Sequence, residues 1–76
     1  MSDLRVFVNG SPVDVRDGGT ALDAVRAADA AEADGVVSGS RSITDSRGLP
    51  ADPASPAYAG AIYRTVRARA QADGEA

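Results

Sequence analysis

Two runs of alternating apolar and polar residues lie near the start of the chain, at positions 4–8 and 13–16. A period of two is typical of a strand that buries one face. The dipeptide Asn9-Gly10 between the runs favours the left-handed positions of a tight turn. The pattern therefore predicts a β-hairpin. Its alternating apolar residues are Leu4, Val6, Val8, Val13 and Val15.

The apolar spacing becomes helical after the breaker Asp-Gly-Gly at 17–19. Thr20 is placed to cap a helix through its hydroxyl, and Asp23 completes an acidic form of the capping box. We expect this helix to run to about Ala33, where Asp-Gly at 34–35 offers a stop. The stripe that should face the core consists of Leu22, Val25 and Ala28.

The sequence does not decide the secondary structure of residues 34–40, because Val-Val at 36–37 is compatible with three alternatives. These are a short strand, an irregular packing segment, and one more helical turn that ends at Gly39. Positions 41–44 then favour a short strand closed by the turn 45–48, with Leu49 starting the way back.

Three prolines exclude regular helix or a central strand across positions 50–56, which we expect to be an extended crossing loop. Positions 61–67, AIYRTVR, predict the last strand. Both of its sides are partly apolar, as expected of an interior strand. One side carries Ile62 and Val66, and the other carries Tyr63 and Thr65.

The length of 76 residues permits one small domain, which we place at residues 1–67. Residues 68–76 contain no large apolar side chain, so we expect a flexible C-terminal tail. The chain has 16 alanines but only 14 Leu, Ile, Val and Phe residues in total. A core this thin predicts that an oligomer or a partner protein covers more apolar surface.

The residue types present exclude most enzyme chemistry. The chain has no cysteine and no histidine, so it lacks thiol nucleophiles, disulfides, thiolate metal ligands and the commonest general base. We therefore expect a non-enzymatic protein with no catalytic residue, no cofactor and no metal site. No stretch approaches the roughly 18 apolar residues of a membrane helix, and no signal peptide is visible, so we expect a cytoplasmic protein.

Charge bears on nucleic-acid binding. Arginine pairs with phosphate and stacks on bases, and tyrosine adds stacking platforms. The net charge of −3 opposes contact with a phosphate backbone, so the sequence disfavours a nucleic-acid partner. The residues that would support such binding are Arg41, Arg47, Arg64, Arg67, Arg69, Tyr58 and Tyr63.

The predicted order ββαββ, with the last strand beside the first, resembles the β-grasp or ubiquitin-like fold. That α+β fold has a mixed sheet with one helix packed on one face. Two groups within it are similar to this chain: the small sulfur carriers of thiamine and molybdopterin synthesis, and the TGS-type modules of RNA-linked enzymes. The shared motifs are Asn9-Gly10, the G-x-T-x-L-x-A pattern at 18–24, the segment 43–48 and the segment 60–63.

The resemblance implies two functions besides plain binding. Sulfur carriers end in Gly-Gly, whose carboxylate is adenylated and converted to a thiocarboxylate, whereas this chain ends Asp-Gly-Glu-Ala. The missing Gly-Gly disfavours a carrier. A TGS-like, RNA-associated role is the second alternative, which the acidic balance disfavours.

A small accessory module that binds protein is the function we predict first. In a β-grasp sheet the helix covers one face, and apolar side chains on the other face form a patch that a partner or a second copy can bury. The register of the last strand decides whether Ile62 and Val66 or Tyr63 join Phe7 on that face. The alternative is that the loop 50–56 covers it. The candidate interaction surface comprises Arg5, Phe7, Ile62, Tyr63, Arg64 and Val66.

Overall fold

The computed structural model describes residues 3–68, which form an α+β domain of five strands and two helices. Of the expected tail at 68–76, residues 69–76 lie outside the described residues, and the Ala68 N–H donates to the Ser40 carbonyl at 3.0 Å. In chain order the elements are β1 (Asp3–Val8), β2 (Ser11–Arg16), α1 (Ala21–Ala28), α2 (Ala30–Ser38), β3 (Arg41–Thr44), β4 (Pro50–Ala51) and β5 (Ile62–Arg67).

The five strands form one mixed sheet in the order β2-β1-β5-β3-β4. β1 and β5 pair in parallel, and the other neighbours pair antiparallel. The last strand therefore lies in the interior beside the first, which confirms the prediction drawn from its two partly apolar sides. β4 is a two-residue edge strand, so most of the proline segment is loop, as expected.

The predicted hairpin is present, and its turn has only two residues. Asn9 has a φ of 52° and Gly10 a φ of 85°, which are the positive values that a tight primed turn requires. Val8 and Ser11 are register partners, so Ser11 and Pro12 belong to β2 and do not enlarge the loop.

The Asn9 side chain extends the parallel pairing past the end of β1. The backbone N–H of Asn9 donates to the Tyr63 carbonyl at 2.9 Å. Beyond this point the chain turns away, and the Asn9 amide takes the place of the next peptide group. Its Oδ1 accepts from the Thr65 N–H at 3.0 Å, and its Nδ2 donates to Thr65 Oγ1 at 3.0 Å. One side chain thus joins the hairpin turn to the last strand.

The single helix that we expected up to Ala33 is two helices, and the predicted stop at 34–35 is wrong. Asp29 interrupts the helix with an extended backbone, ending α1 and beginning α2. Its N–H donates to the Val25 carbonyl, while its Oδ1 accepts from the Ala31 N–H at 3.0 Å. Aspartate favours such capping positions because its carboxylate satisfies free backbone donors.

α2 continues to Gly39, which was one of the three structures open for 36–37. Gly39 has a φ of 94°, the left-handed cap that ends many helices. Gly35 lies inside this helix, at a position where a neighbouring side chain leaves no room for a β-carbon. A β-carbon at Gly35 would lie 2.6 Å from Cγ of Arg41, the first residue of β3. That glycine is thus a packing position and not a helix stop.

The core lies between the sheet and the helices, with α1 against β1 and β2 and α2 against β3. Ala28 is exposed and Leu22 only half-buried, so the buried face of α1 is rotated from the predicted stripe. Alanines let the helix approach the sheet closely. The core residues are Val6, Val8, Val15, Ala21, Ala24, Val25, Ala33, Ile43, Ala57, Ala61 and Tyr63.

Replacing Asn9 separates the contribution of its amide from that of its backbone conformation. Asn9→Gly keeps the positive φ but loses both bonds to Thr65, so we expect it to lower the free energy of unfolding by about 1 kcal/mol. Asn9→Ala also loses the short polar side chain that lets asparagine adopt the left-handed region, which costs about 1 kcal/mol more. Urea unfolding measures both. Equal stabilities of wild type and Asn9→Gly would show that the amide contributes nothing.

Burial raises the pKa of Tyr63, and the nearby Tyr58 hydroxyl adds to the increase. Since the folded pKa exceeds the unfolded value, this contribution to stability is complete below the ordinary tyrosine pKa of about 10 and is lost as the pH rises through the folded value. We expect Tyr63→Phe to flatten the fall in unfolding free energy above about pH 10. Tyr58→Phe, at an exposed position, removes only the smaller of the two causes and should leave most of that fall in place.

Candidate functional site

The sheet has one covered face and one open face. Residues alternate between the two along each strand, so the buried side chains of β1 and β5 point toward the helices. Their neighbours point the other way. Three large apolar side chains lie on this second face: Phe7 is 36% exposed, Ile62 is 44% exposed and Val66 is 42% exposed.

The register of β5 settles which of its residues share a face with Phe7. Phe7 and Ile62 are direct partners in the parallel pair, and so are Val8 and Tyr63. Tyr63 is only 4% exposed and belongs to the core. Including Tyr63 in the candidate surface was therefore wrong. Side chains alternate along β5, so Ile62 points to the open face and Tyr63 points into the core beneath the helices.

The proline loop does not cover the open face. Its backbone is bonded to the start of α1, where the Ser55 carbonyl accepts from Ala21 and the Pro53 carbonyl from Leu22. The Ala57 N–H donates to the Gly19 carbonyl at 2.9 Å. These bonds hold the loop against the first turn of the helix. The alternative in which this loop buries Phe7 does not occur.

Charged residues surround the apolar side chains. Arg5 Nε donates to Asp14 Oδ1 at 2.8 Å, and this bond raises the pKa of Arg5 above its ordinary value. Arg64 lies between Ile62 and Val66 along β5, and no described residue bonds to its side chain. The two sequence-predicted arginines therefore differ. Arg5 is held by a partner, whereas Arg64 remains available.

β2 adds residues that the sequence-based surface did not include. Pro12 is the register partner of Phe7, and Asp14 is the partner of Arg5. Pro12, Phe7 and Ile62 consequently lie side by side across three strands. We define the open face as Asp3, Arg5, Phe7, Pro12, Asp14, Arg16, Ser42, Thr44, Ile62, Arg64 and Val66, the outward residues of β1, β2, β3 and β5. The hairpin register was the signal that pointed to Pro12 and Asp14.

A polar cluster at one end of the sheet was not predicted. Thr65 Oγ1 donates to Glu32 Oε1 at 2.6 Å and accepts from Asn9 Nδ2. Arg41 Nε lies 3.7 Å from the same Glu32 oxygen. These four side chains come from the hairpin turn, β5, α2 and β3. These contacts join four elements of the fold, so the cluster acts as a structural clamp.

Two further positions that resemble sites also have structural roles. At the start of α1, Thr20 and Asp23 form the predicted capping box, and the proline loop occupies the next N–H groups, so no free anion cradle remains there. Asp45 accepts from the backbone of Leu49 and Arg47, and these bonds hold its pKa below the ordinary value. It is a turn-forming aspartate.

Comparison of the chain with protein-family models, with curated proteins and with solved structures gave no match. Neither helix within residues 3–68 has the length and apolar character required to cross a bilayer. In the same part of the chain, no three acidic side chains converge as ligands for a metal ion. The open face is thus the strongest candidate site that the described residues offer.

A matched pair of substitutions tests the assignment of the two faces. Val66→Thr places a hydroxyl in solvent and should change the free energy of unfolding by less than about 0.5 kcal/mol. Val6→Thr has the same chemistry but buries the hydroxyl in the core, which should cost about 1–3 kcal/mol. Chemical unfolding followed by circular dichroism compares them. A large loss for Val66→Thr would mean that this face is packed and not open.

Proposed function

We propose that this protein is a non-enzymatic accessory module that binds another protein through its open face. The observation that carries the proposal is the exposure of Phe7, Ile62 and Val66 on one face of a sheet whose other apolar residues are mostly buried. A chain with few large apolar residues gains nothing in stability by leaving three of them in water. Exposed apolar groups of this kind are typical of interaction sites.

The fold that we propose for this module is a β-grasp. The strand order β2-β1-β5-β3-β4, the parallel central pair and the helices on a single face support it. The division of the helix at Asp29 departs from the one-helix pattern of the resemblance. Fold alone does not identify a partner, so the function rests on the face and not on the fold.

The chemistry of the face indicates what kind of partner fits. Phe7 and Ile62 are adjacent, with Pro12 beside them, and form an apolar centre. Arg64 provides a charge without a partner among the described residues, whereas Arg5 is already bonded to Asp14. A protein segment with apolar side chains and one carboxylate placed for Arg64 would complement both parts. Aromatic and arginine residues commonly contribute most to such interfaces.

Site-specific photocrosslinking tests the proposal in the native cell. A benzoylphenylalanine replacing Ile62 should capture a partner that mass spectrometry identifies. The same group replacing Val37, an exposed valine of α2, is the control and should not capture it. The purified partner is then titrated into labelled protein, and the NMR shifts should map to Phe7, Ile62, Arg64 and Val66.

Phe7→Asp should weaken binding of that partner by about tenfold or more, because it places a charge at the centre of the contact. Val37→Asp should leave the affinity unchanged. Arg64→Ala should weaken binding and reduce its dependence on salt. If shifts map to the helices, or if Phe7→Asp binds as wild type does while folded, the open face is not the binding surface.

A further inference from the structure

The outer edge of β2 carries unpaired backbone groups. Phe7 N–H donates to the Ala61 carbonyl and the Arg5 carbonyl accepts from Gly60, so the peptide groups of Arg5 and Phe7 face β5. In an antiparallel pair, the residues opposite them must then point their own peptide groups away from β1. Those residues are Pro12, Asp14 and, by alternation, Arg16.

Four groups on this edge have no partner among the described residues: the Pro12 carbonyl, the Asp14 N–H and carbonyl, and the Arg16 N–H. The Arg16 carbonyl accepts from the Gly19 N–H at 2.8 Å and keeps a second lone pair. Such a row is a template for another strand. Pro12 lacks an N–H, so the usable part of the edge is centred on Asp14 and Arg16.

The charges beside this edge distinguish between the ways in which a second copy of β2 could pair antiparallel with it. Centring the pair on Asp14 sets two aspartates opposite each other, which is unfavourable. Centring it on Val13 sets Pro12 opposite Asp14 of the second copy, twice by symmetry, and each pair loses one hydrogen bond because proline has no N–H. Centring it on Val15 sets Asp14 opposite Arg16 of the second copy, twice by symmetry.

The Val15-centred register also extends the charge pattern across four strands. Asp3 and Arg16 are partners within one chain, as are Arg5 and Asp14. Each row of the joined open faces then reads Arg5, Asp14, Arg16 of the second copy and Asp3 of the second copy. The signs alternate without interruption. Asp14 lies between two arginines, and every charge on the row faces an opposite one.

We infer that this protein forms a symmetric dimer in which the β2 strands of two copies pair antiparallel about Val15, joining their sheets through exchange of backbone hydrogen bonds between Asp14 and Arg16. In each of the two pairs, the Asp14 N–H of one copy donates to the Arg16 carbonyl of the other. The Arg16 N–H of that other copy donates back to the Asp14 carbonyl. The open faces of the two copies then form one continuous surface.

Sedimentation equilibrium up to about millimolar concentration should find a dimer of the wild-type chain. Asp14→Arg and Arg16→Asp should each weaken dimerisation by at least about tenfold, because like charges then face each other twice. An equimolar mixture of the two variants should form heterodimers, because both cross-chain pairs become complementary again. The charge changes within each chain are the same alone and in the mixture, so only the contact between chains differs.

Hydrogen exchange tests the same contact in the wild-type chain, so the result does not depend on the effects of a substitution. As the protein concentration rises, the Asp14 and Arg16 amide hydrogens should gain more protection than the Arg26 amide on α1, because only the first two are bonded across the contact. A monomer at all concentrations would overturn the dimer. A dimer that persists in both charge variants, fails to re-form specifically in their mixture, or is dissociated by Phe7→Asp alone would also overturn pairing through β2.

Discussion

The pairing of β1 with β5 is the contact on which the rest of the molecule depends. These strands lie at the centre of the sheet, and their inward residues Val6, Val8 and Tyr63 form the floor of the core. Two devices extend this short parallel ladder. The Asn9 amide replaces a peptide group at one end, and the Gly60 N–H bonds to the Arg5 carbonyl at the other. Because the core has so few large side chains, correct alignment of these two strands carries much of the burial.

The same alignment determines which side chains face water. A shift of β5 by one residue would bury Ile62 and expose Tyr63, reversing the surface. Thr65 opposes such a shift, since its N–H and hydroxyl both bond to Asn9 while the hydroxyl also reaches Glu32. The polar clamp and the apolar open face are therefore linked. Polar bonds at the sheet end hold the register that leaves Phe7, Ile62 and Val66 exposed.

Local signals in the sequence were sufficient for the elements they govern. Asn9-Gly10 specified the turn and Thr20 with Asp23 specified the helix cap, because their interactions are with near neighbours. The role of Gly35 depends on the position of β3, because the glycine leaves room for Arg41, and no local pattern reveals that position. The exclusion of Tyr63 from the surface likewise needed the pairing of residues more than fifty positions apart. Periodicity identified the two sides of β5 but not which side faces the helices.

The strand order has a consequence for how the chain acquires its structure. The central strand β5 is the last element among the described residues, so Val6 and Val8 of β1 lack their neighbours in β5 until residues 62–67 arrive. During synthesis the hairpin and helices emerge before the strand that completes the sheet. Bringing β1 and β5 together closes a loop of most of the chain and costs conformational entropy before their contacts form. We therefore expect slower folding than in a protein whose contacts are mostly local. The N-terminal hairpin has no complete core of its own, so we expect it to be unstable until β5 pairs with β1.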